Sequence, residues 1–119
     1  MLAPLRDGAA ISASQYFEAM RVREQVRAGL AAVLARCDAL VLPTSPVPPP
    51  LRGQTEVEVA DGRSMSVREA VLGQTLPFSL AGVPALSLPM GQAAGLPASL
   101  QMVSAADAEA RLLALGRWA

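Results

Sequence analysis

Few side chains in this 119-residue sequence could do chemistry: one cysteine, Cys37, a number of serines and a scatter of carboxylates. Histidine is absent, and every one of the ten basic residues is arginine. Without histidine there is no Ser-His-Asp or Cys-His relay. Without lysine there is no Schiff base, no Walker-type phosphate site and no Ser–Lys pair. A metal would have to be held by carboxylates alone. Asp38, Asp61, Asp107, Glu56 and Glu58 instead fall in segments that read as caps, turns and edges, with Asp38 and Asp107 placed to cap helix ends. Alternation along Glu56-Val57-Glu58 sets both glutamates on one wet face, which suits solvation better than acid–base work. Cys37 ends an apolar stripe, where a lone cysteine behaves as a small buried hydrophobe, with no His or Lys to activate it. Ser45 and Ser79 lie in shaped loops, where ligand contacts concentrate, but local side-chain-to-backbone bonding competes for both. The residues assign no catalytic group, cofactor or metal within this chain.

The elements that must position these groups follow from spacing. Ser12-Ala-Ser-Gln15 is a capping box, and it opens a proline-free stretch from Ala13 to about Arg36 rich in helix formers. Tyr16, Ala19, Met20, Val22, Val26, Leu30, Val33 and Cys37 make the expected buried stripe. Arg21, Arg23, Glu24 and Arg27 form a solvated face, where Glu18–Arg21 and Glu24–Arg27 can pair across a turn. Asp38 to Leu42 reads as a short buried strand. A proline-rich loop and excursion then occupies 43–63, with a weak edge strand at 56–59, because Pro43 to Pro50 lacks the donors a sheet interior needs. Ser64 and Ser66 are N-cap candidates for a short helix reaching about Leu72.

Thr75 to Gly91 organises the rest. Pro77 and Gly82 predict a shaped loop, Pro84 launches a strand over Ala85–Leu88, and Pro89 with Gly91 stops it. Gly95-Leu-Pro97 reads as a turn, Ser99–Val103 as a third strand, and Asp107–Trp118 as a final helix with Leu112, Leu113 and Leu115 on its apolar face. Trp118 is expected to pack at its end. The short connection between the last two strands favours an antiparallel pair. The predicted fold class is α/β: a long N-terminal helix, about three short core strands of a mixed sheet flanked by helices, and a C-terminal helix. The whole of 1–119 is read as a single domain or fragment.

Composition narrows the partners. Apolar residues make up 52% of the chain, above the usual ~45–50% that includes glycine. Such an excess in a small chain predicts surface meant to be covered. Zero net charge gives no footprint for nucleic acid or an anionic membrane. No apolar run reaches the ~20 residues that span a bilayer. A single cysteine and no signal-peptide pattern point to the cytoplasm.

Four blocks, in order, resemble the C-terminal part of the amidase signature family, the Ser–cis-Ser–Lys amidohydrolases that include the glutamyl-tRNA amidotransferase A subunits. They are Ile11-Ser-Ala-Ser-Gln-Tyr16, Asp38-Ala-Leu-Val-Leu-Pro-Thr-Ser-Pro46, Thr75-Leu-Pro-Phe-Ser-Leu-Ala-Gly-Val-Pro-Ala-Leu-Ser-Leu-Pro-Met-Gly91 and Gly95-Leu-Pro-Ala-Ser-Leu-Gln-Met-Val103. Three positions depart from the family pattern: Ser79 stands where Asn is usual, and Ser99 and Ser104 stand where Gly is usual. Drift in one lineage would account for them, as would relaxed constraint on a chain that no longer does the chemistry.

The resemblance implies amide C–N hydrolysis in the full-length family, on a small amide substrate. The family's Lys, cis-Ser and nucleophilic Ser come from a Gly-Ser-Ser-rich earlier part, so this chain alone is expected to be inactive. The Thr44–Pro46 and Thr75–Gly82 loops would lie on the substrate side, and Thr44, Thr75, Phe78 and Ser79 are the candidate pocket wall. The alternative is a non-catalytic interaction module, pairing with itself as a homo-oligomer or with a separately encoded N-terminal amidase part through an open sheet edge.

Overall fold

A computed structural model describes residues 8–59 and 61–118; most of the expected irregular lead-in over 1–10 lies outside them. The order is α1 (Ala13–Leu34), β1 (Leu40–Pro43), β2 (Glu56–Glu58), β3 (Ser64–Ser66), α2 (Val67–Gly73), α3 (Leu76–Ala81), β4 (Ala85–Ala93), β5 (Leu96–Val103) and α4 (Glu109–Gly116). The α/β class holds. β4 and β5 form the expected antiparallel hairpin, and β1 adds to the far side of β5, so the sheet order is β1-β5-β4 with β5 central. Helix α4 packs against β4 and β5 through buried Leu112, and at Gly116 the absence of a side chain lets the helix lie directly on Leu86.

Both capping boxes form. Ser12 accepts from the Gln15 backbone and Gln15 returns the bond at the start of α1; Ser66 and Glu69 do the same for α2. Ser64 belongs instead to β3, which pairs with β2 in a separate two-stranded sheet. There Val57 is buried between exposed Glu56 and Glu58, as the alternation required.

Several expectations are corrected. The Thr75–Gly82 loop is a short helix, α3, with Pro77 near its start and Gly82 closing it at φ 71° in the left-handed region. Proline is tolerated in a first helical turn because its missing N–H would have no partner there. Nor do Pro89 and Gly91 stop β4; the strand runs on to Ala93 across a bulge between them. Ser104 N–H donates to the Pro84 carbonyl, so by alternation the even-numbered residues ahead of the bulge face β5 and Pro89 faces outward, where no donor is needed. The turn is Ala94-Gly95, both at positive φ, the two-residue geometry that matches strand twist.

The α1 stripe is also narrower and rotated. Leu34 is buried and Met20, Arg23, Val26 and Leu30 are half-buried, whereas Tyr16, Val22, Val33 and Cys37 are exposed. α1 packs on the six-residue α3, too short to cover a wider stripe. Cys37 is therefore not a core residue; its Sγ lies 3.6 Å from the Val33 carbonyl oxygen. Asp38 does not cap a helix but pairs with Arg111 of α4. Asp107 sits at φ 60°, and the N-cap of α4 is Ala108, with no side-chain cap. Leu113 and Trp118 are exposed, Trp118 by 92%, since α4 ends before the tryptophan can reach the sheet.

Candidate functional site

The polar groups of the sheet gather on one face. Along β5, Ser99, Gln101 and Val103 share a side, and the strand register sets Leu42 of β1 and Ser87 of β4 beside Gln101. Thr44, which continues β1 by donating its N–H to the Ser99 carbonyl at 3.0 Å, shares a hydroxyl–hydroxyl hydrogen bond with Ser87 at 3.2 Å. Gln101 is only 3% exposed, and its Nε2 donates to the Gln74 carbonyl at 2.7 Å. That bond ties the middle strand to the corner between α2 and α3, where Thr75 stands.

The four candidate wall residues divide. Thr44 belongs to the Ser87 pair. Thr75 is half-buried, and its hydroxyl lies 3.4 Å from the Leu72 carbonyl oxygen. Phe78 is buried, while Ser79 on the next helical position is exposed. Ser45 is taken up locally: its hydroxyl donates to the Val47 carbonyl at 2.8 Å and accepts from the Val47 N–H. It also borders a concavity of about 380 Å³ between the proline loop and the β4–β5 hairpin, with Pro46, Val47, Met90, Pro97 and Ser99. None of Thr44, Thr75, Phe78 or Ser79 lines that concavity.

Ser99 and Ser104 take structural places. The Ser99 carbonyl completes the β1 ladder. Ser104 is 1% exposed and extends the pairing with Pro84, its hydroxyl 3.5 Å from the Ala108 carbonyl oxygen. Sequence reasoning passed over Gln101 and Ser87 and put Arg23 on the solvated face. A glutamine inside the apolar run Leu100-Gln-Met-Val103 was the available signal for the first, and an arginine at stripe spacing from Met20 and Val26 for the last. Arg23 Nε donates to the Leu80 carbonyl at 2.9 Å, so it is not part of the solvated face. Ser87 carried no signal, being one small polar residue in an alternating strand.

Arg21 holds Glu18 below the usual glutamate range, and Arg63 does the same for Asp61 through its backbone N–H first and its side chain second. Both are exposed pairs between near neighbours in sequence, a setting that contributes little to stability. Among the described residues no three of His, Cys, Asp and Glu cluster as metal ligands, and no helix is long and apolar enough to cross a membrane.

A helix-backed sheet of this topology, carrying the four sequence blocks in order, matches one family. The family model for Amidase covers residues 5–113, and the chain belongs to that family. It is 39% identical over 105 residues to the glutamyl-tRNA(Gln) amidotransferase A subunit of Myxococcus xanthus, an overlap of 87% of this chain and 20% of the relative. The A subunit of the same description from Archaeoglobus fulgidus is 36% identical over 103 residues, 87% of this chain and 21% of the relative. A solved structure described as an amidase superposes with a TM-score of 0.90 at 43% identity, covering 96% of this chain and 26% of the other. A structure reported for a vestigial protein complex bearing on the origins of an s-triazine catabolic enzyme superposes at 0.81 and 29% identity, over 92% and 24%. The chain thus spans about one fifth of the length of the curated relatives it matches.

Proposed function

We propose that this chain is the C-terminal part of an amidase-type C–N hydrolase, contributing pocket wall but not the reacting groups. The observation that carries the reading is the conjunction of family membership over residues 5–113 with the absence of any lysine. The family's Ser–cis-Ser–Lys machinery includes a lysine, an attacking serine needs such an activating group, and this chain supplies no lysine. Its contribution would be positioning: the α2–α3 corner at Thr75, the ring of Phe78 behind it, Ser79, and Thr44 held by Ser87. Holding a substrate in a reactive orientation lowers the barrier only where a nucleophile is also present. The expected outcome is no ammonia release from simple aliphatic or aryl amides by the 119-residue chain, with an intact amidase as positive control. Robust turnover by the chain alone would overturn the reading.

A second feature supports a missing counterpart. The accessible surface is 8756 Å², against about 6,100 Å² for a self-contained protein of 12.3 kDa. The radius of gyration is 16.6 Å, against about 13.5 Å for a compact chain of this length. The surplus of roughly 2,650 Å² on this side alone exceeds the ~800 Å² per partner of a standard interface, and counted over both partners it lies at the upper end of the obligate range. Exposed Leu76, Leu80, Val41, Met90 and Leu113 supply apolar area for it. The counterpart in this reading is the rest of an amidase; self-association is the competitor. Light scattering after size exclusion separates them. A defined complex with a separately supplied N-terminal amidase part supports the first, a discrete homo-oligomer the second, and a dilution-stable lone monomer contradicts both.

A further inference from the structure

Helix α3 has six residues, well below the ~12–15 at which an isolated helix begins to hold in water. Its position must therefore come from outside. Two side chains from different elements supply the hold, and each does so in the same way. At the N-terminal end, Gln101 of β5 donates from Nε2 to the Gln74 carbonyl at 2.7 Å; Gln74 is the C-cap residue of α2. At the other end, Arg23 of α1 donates from Nε to the Leu80 carbonyl at 2.9 Å, in the last turn of α3. Both accept at helix C-termini, where carbonyls have no partner within the helix, and at Leu80 the guanidinium also meets the negative end of the helix dipole.

We propose that Arg23 and Gln101 are paired positioning residues that clamp α3 from both ends and so fix the wall formed by Thr75, Phe78 and Ser79. The wall role rests on the function proposed above; the clamp does not. Phe78, buried between the two anchor points, resists lifting of the helix but leaves it free to slide or rotate, since apolar packing is non-directional. Hydrogen bonds at both ends define register and rotation, because they weaken steeply as the angle departs from linear. The second anchor also explains why an arginine occupies the half-buried face of α1 at an energetic disadvantage for an apolar contact: its stem packs while its head reaches a carbonyl.

The test is amide hydrogen exchange by NMR on the whole 119-residue chain, comparing Arg23→Met, Arg23→Lys and Gln101→Met with the parent. Arg23→Met should speed exchange at Gly82 and Val83, both of which donate to the Phe78 carbonyl, by about tenfold through local opening. Gln101→Met should do the same at Thr75 and Ser79, whose amides donate to Leu72 and Thr75 carbonyls. Arg23→Lys should restore protection at Gly82, since an ammonium can still donate to Leu80. In the parent, the two Gln101 side-chain amide protons should be well separated, with one of them slow to exchange. Val59 and Val67, bonded to the Arg63 and Thr55 carbonyls, serve as references and should not change. Parental rates at α3 in both apolar variants would overturn the clamp. So would a uniform acceleration that includes the references, which would signal general destabilisation instead. Absence of amide hydrolysis after complementation would sink the amidase reading while leaving these exchange rates, and the clamp, intact.

Discussion

Two regions of the molecule solve the same problem differently. The excursion formed by β2, β3 and the start of α2 closes on itself: Val47, Val57 and Ala70 form a buried cluster, with Val59, Met65 and Val67 packed against it. Its partners all fall in the short span from Val47 to Ala70, and its helix start is capped by its own Ser66 and Glu69. The three-stranded sheet with α1, α3 and α4 is the reverse. It joins residues far apart in the chain, as in Leu40 opposite Val103 and Arg23 bonded to Leu80, and it leaves large apolar side chains such as Val41, Leu76, Met90 and Leu113 more than half exposed. The small region is locally complete. The large one has a tight centre at Val103 and Leu112 and uncovered edges, the surface that the proposed counterpart would cover.

That contrast can be broken most forcefully in the large region. Phe78→Ala removes the one buried aromatic ring among the described residues, and should cost about 3–5 kcal/mol in urea unfolding, with exchange protection lost across α3 and α1. In the excursion, Val57→Ala removes two methylene equivalents, about 1.6 kcal/mol, and the loss should show in the amides of β2 and β3 while the three-stranded sheet keeps its protection. Loss of protection in the sheet as well would mean that the two regions unfold as one unit.

The smallest expected effect sharpens the comparison by pH. Hydrogen bonds from the Ser66 hydroxyl, and next from its backbone N–H, hold Glu69 below the ordinary glutamate range. The folded value lies below the unfolded one, so this stabilisation is full above the ordinary glutamate range and is lost as pH falls through the lowered value. Ser66→Ala should cost about 1 kcal/mol near neutral pH. The deficit should shrink in acid, where the parent loses the ionised partner too. Glu69→Gln keeps a capping side chain without the titration, so the acid-dependent part should vanish. An unchanged pH profile in Glu69→Gln would show that the carboxylate does not govern it.

What the sequence determined by itself was whatever depends on near neighbours or on residue type alone. Ser12 with Gln15 and Ser66 with Glu69 predicted two helix starts, because a capping box is closed within four residues. The alternation at Glu56-Val57-Glu58 predicted which side chain is buried, and the order of four motifs pointed to the amidase family and its α/β fold. The missing lysine limited the chemistry before any coordinate was needed. Tertiary structure alone decided the rest. Pro77 and Gly82 suit a loop or a short helix equally, and packing of Phe78 with the anchors at Gln74 and Leu80 selected the helix. Pro89 breaks a strand only where its N–H would be required, and the β4–β5 register put it on the outer edge. Arg23, Asp38 and Gln101 looked like surface, cap and strand filler because their partners, Leu80, Arg111 and Gln74, are 57, 73 and 27 residues away. Contacts at such separations leave no periodic trace in a single sequence, since their geometry exists only once the chain has folded back on itself.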